Sequence, residues 1–313
     1  IDCEPVHAWQ KGIRSALPAA SGILKGIRLL NPEGSATAEF FQQIMYFILT
    51  LFLVEVRAFN RVVAEVRRNR AELQDLVRLI GELDAIQSVA SFRSSLECCC
   101  EPEFLGGPPK LDILDGWHPL TSTPVPNSLH CNDECFFITG SNMAGKSTFL
   151  RMIAVNVVLA QTFHFCCARR YAATPFRLAS SIAHLDDITG STSYFLAEGK
   201  RLLHLLRNAE QDKTPYLCIV DEMLRGTNSV ERHAASLAVL RRLAETGAIV
   251  IVASHDTDLG CMLKERYEVF HFSESFEDDN LAFDYKLKPG ICASGNAIRT
   301  LEWLGFPSPV IQE

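Results

Sequence analysis

The sequence contains no two cysteines separated by two residues, although it has 11 cysteines. Zinc sites of the finger and ribbon kind are built on such pairs, so their absence argues against a zinc site. The count is odd and the residues cluster (Cys98, Cys99 and Cys100; Cys166 and Cys167), which argues against the paired framework of a small secreted domain. Free thiols in a reducing, cytoplasmic setting are the expectation. An excess of basic charge is also missing, with a formal net charge of −7. The chain as a whole is therefore no basic nucleic-acid module, and any DNA contact must come from a local patch or from parts outside it. A hydrophobic run of the roughly 20 residues that span a bilayer is absent too. The nearest approach, Phe40 to Val54, is about 15 residues long and includes Gln42 and Gln43. Two readings of that run stay open, a buried helix and a membrane-associated segment. No secretory signal is visible; the chain starts at Ile1 within an apolar pattern, so a preceding portion is expected.

What is present suits a soluble globular protein of two or three domains: 313 residues, 48% hydrophobic and 21% charged. Scattered Pro18, Gly22, Gly26, Pro32 and Gly34 predict short helices and turns over the first 35 or so residues. From Thr37 to Ala90 only Gly81 interrupts. Leu73, Leu76, Val77, Ile80, Leu83, Ile86 and Val89 recur at steps of one helical turn, which predicts a long helix packing this face on a partner helix. Arg57, Arg61, Arg67, Arg68 and Arg70 alternate with Glu55, Glu65 and Glu72, readable as a solvated face or as a DNA-backbone patch. Pro102, Gly106, Gly107, Pro108 and Pro109 mark a boundary. The expected division is a helical region over 1–100, a linker over 101–110, and one α/β domain over 111–313, where strands alternate with helices.

The centre of that domain is Phe136 to Leu150. An apolar run from Cys135 to Ile138 predicts a buried strand. The segment Gly140, Ser141, Asn142, Met143, Ala144, Gly145, Lys146, Ser147 then fits G-x-x-x-x-G-K-[ST], and an amphipathic helix follows from Thr148. Strand, glycine loop and helix together make a phosphate cradle: backbone N–H groups and the helix N-terminus face the anion. Lys146 would reach the β- and γ-phosphates, and the Ser147 hydroxyl would ligate Mg²⁺. The expected fold class is thus an α/β P-loop NTPase domain preceded by an all-helical region, with ATP and Mg²⁺ as cofactors.

Two more strand ends supply the rest of the chemistry. Tyr216 to Val220 predicts a buried strand ending in Asp221 and Glu222, about 75 residues after Lys146. Carboxylates at the C-terminal end of a parallel strand sit where open α/β sheets bind ligands. Asp221 would hold Mg²⁺, and Glu222 would orient and polarise the attacking water. Ala248 to Ala253 predicts another buried strand, ending in Ser254 and His255. His255 would contact the γ-phosphate or the water.

With these residues in hand the chain resembles the MutS family of DNA mismatch-repair ATPases, over about residues 70–313 and most strongly from 111 on. TGSNMAGKST at Thr139 to Thr148 resembles the family's TGPNMGGKST, with Ser141 and Ala144 as departures. DEMLRGTNS at Asp221 to Ser229 is similar to the DE-x-x-RGT segment, and Gly116-Trp117-His118-Pro119 to the GRHP element. DITGSTSYFLAE at Asp187 to Glu198 resembles the signature region, with Ser193 at the signature serine and Tyr194 in place of the usual threonine. The resemblance implies that Ser193 of one subunit caps the γ-phosphate held by the other. It therefore implies a dimer, a homodimer by expectation, with Asn228 near its seam. It implies an adenine pocket in which Val125 and Tyr285 stand where the family has stacking aromatics. Residues 291–313 resemble dimer-bracing helices, and 37–90 the lever and core helices that link the ATPase to a DNA clamp. Duplex DNA, mismatched or branched, is the implied partner; a downstream repair partner is not identifiable. Phe272-Ser273-Glu274 has the letters of the family's mismatch wedge but follows a strand of the ATPase domain, so it is read as coincidence. The alternative reading is a dimeric ATPase switch, membrane-associated or cytosolic, acting on a non-DNA partner; the lack of an LSGGQ-like signature speaks against its transporter form.

Overall fold

A computed structural model describes residues 4–30, 47, 51, 53–141, 143–182, 194–211, 214–224, 228–277 and 280–291. The run Phe40–Val54, Asn142, Ser193, the 225–227 segment and 292–313 lie outside the described residues, wholly or for the most part. The chain divides into two compact units, Ile1–Ser95 and Leu96–Glu313, and is of mixed α/β class.

In the first unit the described residues form α1 (Glu4–Leu30), α2 (Val54–Arg68) and α3 (Arg70–Ser95). The expectation of short helices at the start is corrected, because α1 runs unbroken for 27 residues with Pro18 in its interior. An internal proline costs a helix about 3 kcal/mol. Tertiary packing offsets it here, since α1 lies along both α2 and α3. Trp9 Nε1 donates to Glu82 Oε2 at 3.3 Å, and α1 approaches α3 so closely at Gly12 that a Cβ there would stand 2.6 Å from Leu79 Cδ1. Asn69 separates α2 from α3: its backbone N–H and its Nδ2 both donate to Glu65 O, at 3.0 and 2.9 Å. The apolar face expected on α3 is also corrected. Leu79 is the buried residue, whereas Val77 and Ile80 are 71% and 55% exposed. The small residues of α1 select the Leu79 side of α3.

The second unit holds two sheets and a hairpin. One sheet consists of β1 (Glu103–Phe104), β2 (Lys110–Gly116), β3 (Asn127–Asn132) and β5 (Arg170–Ala173), in the order β1-β5-β2-β3. The other takes β4 (Cys135–Thr139), β6 (Arg177–Ser181), β7 (Tyr216–Asp221), β8 (Ile249–Ala253), β9 (Tyr267–His271) and β12 (Lys288–Pro289), in the order β12-β9-β4-β8-β7-β6. Its central pairings are all parallel. Strands β10 (Glu274–Glu277) and β11 (Asn280–Phe283) pair with each other.

Every residue of β4, β7 and β8 is buried, which explains their unbroken apolar sequences: helices cover both faces. On one face α4 (Lys146–Phe163) sets Leu150, Ile153 and Val157 against Ile138, Ile219 and Ile251. The opposite face receives α5 (Tyr194–Gln211), α6 (Ser229–Ala244) and α7 (Thr257–Leu263), whose Leu205, Leu240 and Leu259 join Phe137, Val220 and Val252. In register, Ala253 lies level with Ile138 on one side and Asp221 on the other. The loops that leave β4, β7 and β8 therefore emerge together from one edge.

Candidate functional site

The loop from β4 into α4 depends on two glycines. Gly140 has φ +131°, and a Cβ there would stand 2.4 Å from the Phe272 carbonyl oxygen. Gly145 caps α4 at φ +106°, with the Tyr285 ring 3.2 Å from where its Cβ would be. Both positions need a residue without a side chain. Lys146 is 1% exposed, and its Nζ donates to the carbonyls of Gly140 and Ser141 at 2.5 and 2.9 Å. The ammonium is thus held folded into the mouth of its own loop. Ser147 is half-buried in the first turn of α4, Thr148 and Met143 are exposed, and Ala144 is buried. The Ser141 hydroxyl donates to Glu274 Oε2 at 2.8 Å, so the hairpin β10–β11 is fastened to the loop. A loop turned by two glycines at a helix N-terminus, with a buried cation inside it, fits a polyphosphate.

Beside it β7 ends in Asp221 and Glu222, 5% and 7% exposed. Glu222 has left the strand at φ +53°, but its N–H still donates to Ala253 O at 2.9 Å. Its Oε1 lies 3.3 Å from Nδ1 of His255, which is 54% exposed. Ser254 N donates to Ile138 O, tying the His255 loop to β4. Asp256 caps α7 by accepting from Leu259 N at 3.1 Å, and its other oxygen lies 2.9 Å from His233 Nδ1. Burial alone would raise the Asp256 pKa, but these bonds and the nearby cations hold it below the usual carboxylate value. The fold thus brings together the glycine loop, the paired carboxylates and His255. Metal donors available at this edge are the Ser147 hydroxyl and the Asp221 carboxylate.

A cleft of about 300 Å³ opens next to the glycine loop, lined by Trp117, His118, Val125, Thr148, Met152 and Tyr285 among others. Its walls are largely apolar, with Tyr285 44% exposed and stacked on Phe283 at 5.8 Å. Tyr285 adopts φ +51°. Asn127 holds it there: Nδ2 donates to Tyr285 O at 2.9 Å and Oδ1 accepts from Leu287 N at 2.9 Å. His118 titrates below its usual value, because it is partly buried and faces Arg151. Asn228 is the N-cap of α6, its Oδ1 accepting from Glu231 N at 2.9 Å.

A sequence model of the family described as MutS domain V matches residues 136–313. The chain belongs to the MutS family. It is similar to the DNA mismatch repair protein MutS of Thermus aquaticus, 30% identical over 261 residues, covering 82% of this chain and 31% of that protein. The protein of that name from Natronomonas pharaonis is 29% identical over 268 residues, covering 82% and 31% respectively. That of Thermotoga petrophila is 28% identical over 294 residues, 91% of this chain and 36% of the relative. The chain spans about a third of the length of these MutS relatives.

Sequence reading of this MutS chain missed three anchoring residues. Asn127 was passed over because its bonds reach across 158 and 160 positions, which no local spacing reveals. Glu274 stands out in the sequence only through its chance likeness to the wedge letters, and its grip on Ser141 reaches across 133 positions. Glu198 enters the sequence reading only as the last residue of the stretch that resembles the signature region. It is 5% exposed, and its Oε1 accepts from Leu224 N at 2.6 Å. A carboxylate in helical step with Leu202, Leu205 and Ala209 was the signal available for it.

Proposed function

We propose that this chain is the ATP-binding and ATP-hydrolysing part of a MutS-type DNA-binding protein, working as a dimer with composite sites. The observation that carries the reading is the contact of buried Glu222 with His255 at the same sheet edge as the glycine loop and Lys146. Residues 140–148 would hold the triphosphate, with Lys146 turning from its own loop carbonyls to the phosphates. The Asn142 side chain would add a polar contact there. Ser147 and Asp221 would hold Mg²⁺, which when bound neutralises phosphate charge. Glu222 would orient and polarise the water, while His255 would hydrogen-bond the γ-phosphate or that water. Tyr285, held by Asn127, offers its face to the base. Ser193 would complete the partner's site, and Asn228 would lie near the seam. The helices of residues 37–90 would act as levers toward DNA, in a cytoplasmic protein engaged in mismatch repair or a related DNA transaction.

The decisive experiment replaces the water-orienting carboxylate. Glu222→Gln in the intact protein is expected to bind ATP as the parent does, to lower kcat by about 10²–10³-fold, and to accumulate as an ATP-bound dimer in analytical ultracentrifugation. Parental turnover by that variant would refute the assignment. Duplex DNA binding is expected to weaken steeply between 50 and 200 mM salt, on the order of tenfold or more per few phosphate contacts. No binding at low salt would favour the switch acting on a non-DNA partner.

A further inference from the structure

Glu198, Leu202, Leu205 and Ala209 follow one another along α5 at helical steps of four, three and four, and are 5%, 3%, 4% and 6% exposed. The three C-terminal members are apolar and join the cluster against β7 and β8. Glu198 extends the same stripe by one turn toward the start of the helix. A carboxylate in that position loses its hydration, and it is retained only where strong donors replace the water. One such donor is the backbone N–H of Leu224, at 2.6 Å.

Leu224 belongs to the turn that carries Glu222. Both residues stand at positive φ, +53° at Glu222 and +54° at Leu224. Bulky side chains rarely adopt this conformation, and the surroundings must impose it. The turn is pinned at two backbone points: Glu222 N on Ala253 O at 2.9 Å, and Leu224 N on Glu198. Met223 and Leu224 bury their side chains in the cluster that contains Leu202 and Leu205, so the turn and α5 share one packed surface.

We propose that Glu198 is a positioning residue for ATP hydrolysis: it fixes the turn after β7 so that the Glu222 carboxylate stays against His255. It also links α5 to that carboxylate. Glu198 lies one turn into the described part of that helix, Tyr194–Gln211. This inference rests on the ATPase reading above.

The test uses three variants of the intact protein, Glu198→Ala, Glu198→Asp and Glu198→Gln, with steady-state ATP hydrolysis and equilibrium binding of the non-hydrolysable analogue AMP-PNP. Glu198→Ala is expected to lower kcat by roughly 30-fold or more, with KM and AMP-PNP affinity within about threefold of the parent. Glu198→Asp keeps the charge but withdraws the acceptor by one methylene, and is expected to lose about tenfold in kcat. The amide oxygen of Glu198→Gln still accepts from Leu224 N, so most of the turnover should return. Should Glu198→Ala fail to fold, the Asp and Gln variants decide: equal kcat values for both, or losses expressed in KM alone, would overturn the proposal. Failure of the underlying reading looks different. A parent that does not hydrolyse ATP, or a Lys146→Ala variant as active as the parent, would remove both claims before any Glu198 variant is compared.

Discussion

Gly140 illustrates how one missing Cβ sets the local geometry. Its φ of +131° is open to glycine alone, and the Phe272 carbonyl occupies the space that a methyl group would need. Backbone cannot yield as a flexible side chain can. Gly140→Ala is therefore expected to cost at least about 2 kcal/mol in urea denaturation, from strain and overlap together. A cost under half that value would show that the loop relaxes freely. At this scale the sequence was legible wherever residues form a contiguous pattern. Gly140 to Ser147, Asp221 with Glu222, and Ser254 with His255 each announce a strand end bearing polar chemistry. Pairings between distant segments were not legible. Nothing in the neighbourhood of Asn127 or Glu198 points to Tyr285 or Leu224, because such bonds exist only once the sheets have assembled.

Elements were readable in proportion to how fully they are buried. β4, β7 and β8 appear as unbroken apolar runs because helices enclose them on both sides. Helix α1 was not readable, since local proline and glycine signals were outweighed by packing on α2 and α3. On α3 the periodicity was genuine, but the face it marked is not the one α1 meets. Gly81 separates local propensity from packing in the same helix. It lies mid-α3, at an ordinary φ, and an added Cβ would touch nothing within 4 Å. Gly81→Ala should thus stabilise by up to about 1 kcal/mol. The same substitution has the opposite sign at Gly140. A circular-dichroism melt of the Gly81→Ala variant would show a raised midpoint; a lowered one would mean that the helix needs its flexibility there. Asn228 gives a further element-scale expectation. Asn228→Ala removes the cap of α6 and should cost about 1 kcal/mol, whereas Asn228→Asp keeps the acceptor and should cost far less. Equal losses in chemical denaturation would deny the cap its role.

For the molecule as a whole, acid should be the weak side of its stability profile. His118 is held below its ordinary pKa by burial and by Arg151, and its Nδ1 accepts from Leu120 N at 3.2 Å. The folded state thus favours the neutral ring. The stability this provides is complete above the unfolded value of about 6.5 and is lost as pH falls toward the lower folded value. Asp256, also depressed, adds a second loss as pH falls below the unfolded carboxylate value of about 3.9. Urea midpoints should therefore fall from pH 7.5 to pH 5.5, and His118→Gln should flatten that interval; an unchanged slope would remove His118 as its source.

The strand order has a dimensional consequence. β8 intervenes between β4 and β7, so the strand bearing the glycine loop and the strand bearing the acids are two lateral spacings apart, about 9.6 Å. A single spacing of about 4.8 Å would admit little more than a water molecule. On the proposed reading, doubling it would leave room for a phosphoryl group, its counter-ion and an incoming nucleophile side by side, with His255 in the loop that follows the strand between. The separation of the glycine loop from the paired acids is thus fixed by backbone hydrogen bonding, before any side chain is chosen.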